Sequence, residues 1–199
     1  MVSKEIVRQQ ISDRLNALGD RDIQQKSAQA CKHLCELDEF IQARTVMIYL
    51  SLPREIDTSA AILEAFGTGK KVLVPKMIWE DRKLIPVVIE TLNCEMEIGR
   101  FGLRNPTGNE TLPVSSIELV IIPGLGFDET GNRIGRGAGF YDRFLADNQF
   151  SGIRCGLALE DQILNTIPVS DHDMSLDLLV TENRIRRFKR KVHKNMVTL

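Results

Sequence analysis

One part of the chain constrains the fold more than any other: an apolar run, a glycine-rich turn and a helical pattern, in that order. The run is Leu119-Val120-Ile121-Ile122-Pro123, and the turn lies in Asn132-Arg133-Ile134-Gly135-Arg136-Gly137-Ala138-Gly139-Phe140-Tyr141-Asp142-Arg143, with a helix expected over 141–146. A continuous run of this kind reads as a buried strand, covered on both faces. Glycines let backbone N–H groups close on phosphate oxygens, and the start of a helix adds partial positive charge. Strand, glycine turn and helix start together form an anion-binding architecture. The turn is neither a Walker A loop, which needs Gly-Lys followed by Ser or Thr, nor a G-x-G-x-x-G dinucleotide loop. Glycine triplets also occur in plain turns, but Arg133, Arg136 and Asp142 beside them favour phosphate.

The rest of the chain alternates helical and strand patterns. A helix is expected over 3–18, capped by Ser3, with Ile6, Val7, Ile11, Leu15 and Leu18 facing inward. Asp20 or Asp22 begins a second helix running to Leu37, and Asp57 caps a third over 58–66, which Gly67 and Gly69 end. Strands are expected at 46–50, 72–74, 84–89, 119–122, 153–159 and 178–181, with Pro86 placing the third at a sheet edge. From Asn93 to Ser116 the pattern dissolves into a long surface or active-site loop. The expected fold class is therefore α/β, three layers with a mainly parallel central sheet flanked by helices. Ligands bind such sheets beyond the carboxyl ends of the strands, and the loops after 46–50 and 119–122 both leave from such ends. One domain is expected over 1–183 and a basic tail over 184–199.

Composition excludes several function classes. With 43% hydrophobic and 27% charged residues in 199, the chain can bury a core without disulfide staples. A net charge of −1 argues against whole-protein attraction to nucleic acid or an anionic membrane. No apolar run is long enough to span a bilayer, and a cytoplasmic location is expected. Cys31, Cys35, Cys94 and Cys155 form no disulfide-like framework, and His33, His172 and His193 share no ligand spacing. Arg184, Arg186, Arg187, Lys189, Arg190, Lys191 and Lys194 come without an intervening acid and read as a solvated terminus.

The glycine stretch resembles the signature of the 5-formyltetrahydrofolate cyclo-ligases, also called 5,10-methenyltetrahydrofolate synthetases. The likeness takes in Lys4 and Arg8, then Tyr49-Leu50-Ser51-Leu52-Pro53-Arg54-Glu55-Ile56-Asp57-Thr58, then Phe101-Gly102-Leu103 with Pro106. It continues through Pro123-Gly124-Leu125-Gly126-Phe127-Asp128 with Gly131, and Asp171-His172-Asp173-Met174. The blocks keep the family's order to about Glu182.

The resemblance implies ATP-dependent, Mg²⁺-requiring cyclisation of 5-formyltetrahydrofolate, with or without a polyglutamate tail, to 5,10-methenyltetrahydrofolate. It implies ATP binding by Lys4, Arg8, Arg133, Gly135, Arg136, Gly137, Ala138, Gly139, Phe140 and Tyr141, with Arg133 and Tyr141 catalytic. It assigns folate contact to Leu50, Glu55 and Phe140, and magnesium to Asp142 and Asp173. Without the family, Lys4 and Arg8 read as a solvated helix face, Glu55 as a loop acid, Asp142 as a helix-dipole partner in a first turn, and Asp173 as a turn or cap residue. Phe140 departs from the Tyr-Tyr usual in the motif, which removes a hydroxyl and keeps stacking. Trp79 and Phe101 are candidate pocket aromatics, and Lys76 a candidate phosphate or glutamate-tail contact. A monomer is expected, with no nucleic-acid or membrane partner. Two other readings stay open: a sugar-phosphate isomerase or CoA-transferase-like enzyme, and a nucleotide- or RNA-binding module using the basic tail.

Overall fold

The computed structural model describes residues 3–190. Helices α1 (Lys4–Asn16), α2 (Asp20–Cys35) and α3 (Asp38–Gln42) precede strand β1 (Thr45–Ile48), and α4 (Ser59–Gly67) leads into β2 (Lys71–Ile78) and β3 (Lys83–Ile89). A short hairpin, β4 (Met96–Ile98) and β5 (Arg104–Pro106), is followed by β6 (Leu119–Ile122), β7 (Gly126–Asp128), β8 (Arg133–Ile134) and α5 (Phe140–Leu145). The described chain ends with β9 (Ile153–Leu157), β10 (Ile163–Leu164), β11 (Leu178–Val180) and β12 (Ile185–Arg187).

Seven strands form the central sheet in the order β12-β11-β9-β6-β1-β2-β3. The inner pairs are parallel, and the edge strands β12 and β3 run antiparallel to their neighbours. Side chains alternate across it. Val46, Ile48, Leu119 and Ile121 pack with Val7, Ile11, Leu34 and Ile62 of the helices on one face. Met47, Val120 and Ile122 pack with Phe140, Phe144 and Leu145 on the other. This two-sided burial is why the strand sequences are continuously apolar, each fully buried side chain contributing about 1.5–3 kcal/mol. The three-layer α/β expectation holds, and Pro86 does lie on an edge strand.

Local signals account for most element starts. Ser3 Oγ accepts from the Ile6 amide at 3.3 Å, and Val7, Ile11 and Leu15 bury one stripe of α1. Asp57 Oδ1 accepts from the Ser59 amide at 2.9 Å, but the cap position of α4 is Thr58, one residue later than expected. Several expectations need correction. Ile6 is 52% exposed instead of inward. Gly19 occupies the cap position of α2, with Asp20 and Asp22 inside its first turn. The segment 93–116 is not wholly irregular, since it carries the β4–β5 hairpin. The glycine loop does not leave β6 directly, because the β7–β8 hairpin intervenes.

The expected basic tail starts too early. Ile185–Arg187 pairs with β11, and Arg186 is buried between Glu129 (2.9 Å) and Glu160 (2.5 Å). Arg184 pairs with Glu129, Arg187 with Glu39 and Arg190 with Asp177. A run of cations with no intervening acid is thus matched by acids from outside the run. Lys191 and Lys194 lie outside the described residues.

Candidate active site

A cavity of about 640 Å³ opens beyond the carboxyl ends of β1 and β6. Its walls come from α1 (Lys4, Arg8), the turn after β1 (Leu50, Glu55), the glycine loop with the start of α5 (Arg133 to Asp142), and Asp173. Every residue assigned to the site from the resemblance lines this one cavity, though the residues span most of the sequence.

The loop is held open by glycine. Gly137 has φ +108° and Gly139 φ +70°, backbone conformations that L side chains rarely adopt. Upstream, Asp128 builds the β7–β8 turn: its carboxylate accepts from the amides of Thr130 (2.9 Å), Asn132 (3.0 Å) and Ile167 (3.1 Å), and from the Thr130 hydroxyl and Asn132 amide group. Burial opposes its charge, but these hydrogen bonds hold its pKa below the ordinary carboxylate value. Arg8 Nε donates to the Gly135 carbonyl at 3.0 Å, tying α1 to the loop. Since α5 has only six residues, the positive charge facing the cavity rests mainly on Lys4, Arg8, Arg133 and Arg136.

Arg133 is almost enclosed, its side chain 4% exposed, and donates through Nη2 to Asp142 Oδ1 at 2.8 Å. Its Nε and the Tyr141 hydroxyl are buried and without hydrogen-bond partners. Burial and then the charge of Glu55 push the Tyr141 phenol well above its ordinary pKa, with Arg133 opposing, so it stays protonated and a donor. An unpaired buried donor costs about 1–3 kcal/mol, which an acceptor oxygen entering the cavity would relieve. Both atoms belong to cavity-lining residues.

An aromatic wall starts at the end of the loop, at Phe140. Trp79 meets Phe140 edge-on at 5.0 Å and Phe101 at 5.7 Å. Phe101 is 79% exposed and left-handed at φ +60°. Such a surface suits a flat, fused heterocycle better than a bare phosphate. Lys76 instead bonds Gly108 and Asn109 and does not line the cavity. Sequence reasoning missed Met77, Leu103, Arg104 and Asn105, which do. The Asn105 side chain pairs with the Met77 amide at 3.0 Å and carbonyl at 3.3 Å, docking the β4–β5 hairpin on β2. The nearby signal was the block Phe101-Gly102-Leu103 with Pro106, which gave Leu103 no role and left Arg104 and Asn105 between its members unread.

Glu55 is positioned by the turn after β1, where its Oε2 accepts from the Leu52 amide at 3.0 Å. Its Oε1 accepts from Arg136 Nε (3.3 Å) and Nη2 (3.0 Å). Asp142 Oδ1 takes Arg133 and the Met174 amide (3.1 Å), while Asp173 Oδ2 takes Lys4 (2.5 Å) and the Ser170 amide (2.7 Å). The Met174 bond sets the Asp173 segment against Asp142. Asp142 and Asp173 each keep one oxygen outside the hydrogen bonds among the described residues. No cluster of three or more His, Cys, Asp or Glu suited to a metal occurs among those residues. Two carboxylates fit an ion that keeps waters and takes substrate phosphates, as Mg²⁺ does, and do not form a closed cage.

Known proteins resemble this chain in sequence and in fold. A protein of Mus musculus named 5-formyltetrahydrofolate cyclo-ligase is 27% identical over 91% of this chain and 94% of its own. The Escherichia coli protein of the same name is 29% identical over 88% of this chain and 98% of its own. The structure of Aquifex aeolicus 5,10-methenyltetrahydrofolate synthetase superposes with a TM-score of 0.80 at 26% identity, covering 98% of this chain and 99% of that one. The family model for these proteins matches residues 1–182, and the chain belongs to the 5-formyltetrahydrofolate cyclo-ligase family.

Proposed function

We propose that this protein converts 5-formyltetrahydrofolate to 5,10-methenyltetrahydrofolate at the expense of ATP, releasing ADP and phosphate. The observation that carries the reading is the cavity that joins a cation-rimmed glycine loop to an aromatic wall and a half-buried glutamate.

The chemistry explains why both halves are needed. A formamide carbon is a weak electrophile, and its oxygen is a very poor leaving group. Attack of the formyl oxygen on the γ-phosphorus expels ADP and leaves an imidate-like phosphate. N10 of the folate then adds to that carbon and loses its proton. That addition closes the five-membered ring, and departure of inorganic phosphate, carrying the former formyl oxygen, leaves the conjugated C=N bond of the methenyl product. Well-placed intramolecular reactants gain up to about 7–11 kcal/mol over bimolecular ones, so the protein's main tasks are positioning and charge neutralisation.

In this reading Gly135, Gly137 and Gly139 wrap the phosphates, with Ala138 and Phe140 completing the loop. Lys4, Arg8, Arg133 and Arg136 supply charge. Arg133 Nε and the Tyr141 hydroxyl donate to oxygens at the transferring group, where their unpaired state in the protein is relieved. Glu55 accepts the pterin N–H groups, Leu50 gives apolar contact and Phe140 stacks. Asp142 and Asp173 would hold Mg²⁺, which when bound offsets phosphate charge. The protein is taken to act as a monomer, since every assigned site residue belongs to one cavity of a single chain. The four cysteines are free, as suits a reducing cytoplasm. No helix among the described residues is long and apolar enough to cross a membrane.

The test is direct. Purified protein with Mg·ATP and 5-formyltetrahydrofolate should build the methenyl-folate absorbance band and ADP in equal amounts. Product formation that proceeds unchanged without nucleotide would refute the phosphorylation route.

A further inference from the structure

Glu55 has its acceptor positions largely filled. Arg136 approaches Oε1 with both Nε and Nη2, and the Leu52 amide takes Oε2. A carboxylate oxygen has two lone pairs, so Oε1 has none left for a ligand while Arg136 stays. A pterin presenting adjacent N–H donors in one plane needs both oxygens. Arg136 must therefore leave before the ring can be read in that way.

Arg136 is able to leave. Its side chain is 50% exposed, against 11% for Glu55, and it stands between Gly135 and Gly137 in the cavity-lining loop. A polyphosphate is the stronger draw: it carries several charges and accepts a guanidinium bidentately. The same arrangement recurs around the cavity, where Lys4 is paired with Asp173 and Arg133 with Asp142. Each of these cations, suited to phosphate, rests on an acid suited to another ligand.

We infer that Arg136 couples the two binding events, occupying Glu55 in the free protein and releasing it to the folate when nucleotide phosphates draw the guanidinium away. The inference rests on the functional reading given above, specifically on Glu55 as the pterin acid. Its consequence is preferred loading of nucleotide first. Linkage requires the reciprocal effect, so bound folate tightens nucleotide by the same factor. For an ion pair with one half-exposed partner, the coupling factor is expected to be roughly 3- to 10-fold.

Calorimetric titration of the wild-type protein with 5-formyltetrahydrofolate, with and without Mg²⁺ and the β,γ-imido analogue of ATP, measures this factor. Folate should bind roughly 3- to 10-fold tighter with the analogue present. Arg136→Ala should bind folate more tightly than wild type when nucleotide is absent, and its coupling factor should fall to about one. Arg136→Lys, which keeps the charge but not the fork, should retain part of the factor. Thermal melts of both variants confirm that the fold is kept. A wild-type factor of one, or an unchanged factor in Arg136→Ala, overturns the inference and leaves the functional reading standing. Wild-type protein that binds the analogue but no folate under either condition overturns both.

Discussion

Lys4 Nζ lies 2.5 Å from Asp173 Oδ2, so the first turn of α1 is joined to a loop 169 residues further along the chain. The contact places a cation suited to phosphate against a carboxylate suited to metal. Asp142, linked to the same loop through the Met174 amide, bears the second carboxylate. If the two serve one ion, Asp142→Asn and Asp173→Asn should each raise the Mg²⁺ needed for half-maximal turnover by roughly 10-fold, since each keeps an oxygen but loses its charge. A magnesium titration of initial rates decides it. Wild-type dependence in both variants would mean that ATP alone holds the metal.

Gly137→Val tests the loop. At φ +108° a β-branched residue is strained whatever the space, although its Cβ would meet only the Arg8 guanidinium, Nη2 at 3.6 Å and Cζ at 3.8 Å. The loop must shift, and the apparent KM for ATP should rise about 10-fold or more, in keeping with a strain of about 1–3 kcal/mol. The residue is exposed, so the melting temperature should change little. Unaltered ATP affinity in a folded variant would mark the loop as a plain turn.

Asp128 predicts a pH dependence of stability. Its folded pKa is held below the ordinary value by donors from Asn132 and Thr130 despite burial. A depressed pKa contributes stability that is present above the unfolded value, about 3.9, and lost as pH falls through the folded value. Asp128→Asn turns one acceptor toward groups that donate and should cost about 2–4 kcal/mol at neutral pH. Urea midpoints measured from pH 7 down to pH 2 should therefore fall less steeply in the variant. Parallel curves would show that Asp128 is not the titrating group.

Arg186→Met probes the strand that sequence reasoning assigned to a tail. The substitution leaves Glu129 and Glu160 without their shared cation, and removing one member of a buried pair costs about 3–5 kcal/mol. Glu129 is 43% exposed, so solvent moderates the loss to about 2–3 kcal/mol. The urea midpoint should drop accordingly while the KM for ATP stays near wild type. An unchanged midpoint would return 184–190 to the status of a loose terminus.

Sequence alone determined what depends on near neighbours. The i, i+4 stripe Val7, Ile11, Leu15 marked α1, Ser3 marked its start, and the run Leu119 to Ile122 marked a strand buried on both faces. Pro86 marked an edge, and alternate glycines marked the loop, because missing donors and unusual φ angles belong to single residues. Tertiary structure alone decided which charges meet. Arg186 looks solvated in a basic run, yet Glu129 and Glu160 arrive from other elements and let it be buried. Arg136 and Glu55 are 81 residues apart, and no local pattern says that the loop cation rests on the turn acid. Helix and strand patterns repeat over two to four residues and can be read from the chain, whereas an ion pair depends on strand order and loop path, which close only when the whole sheet is assembled.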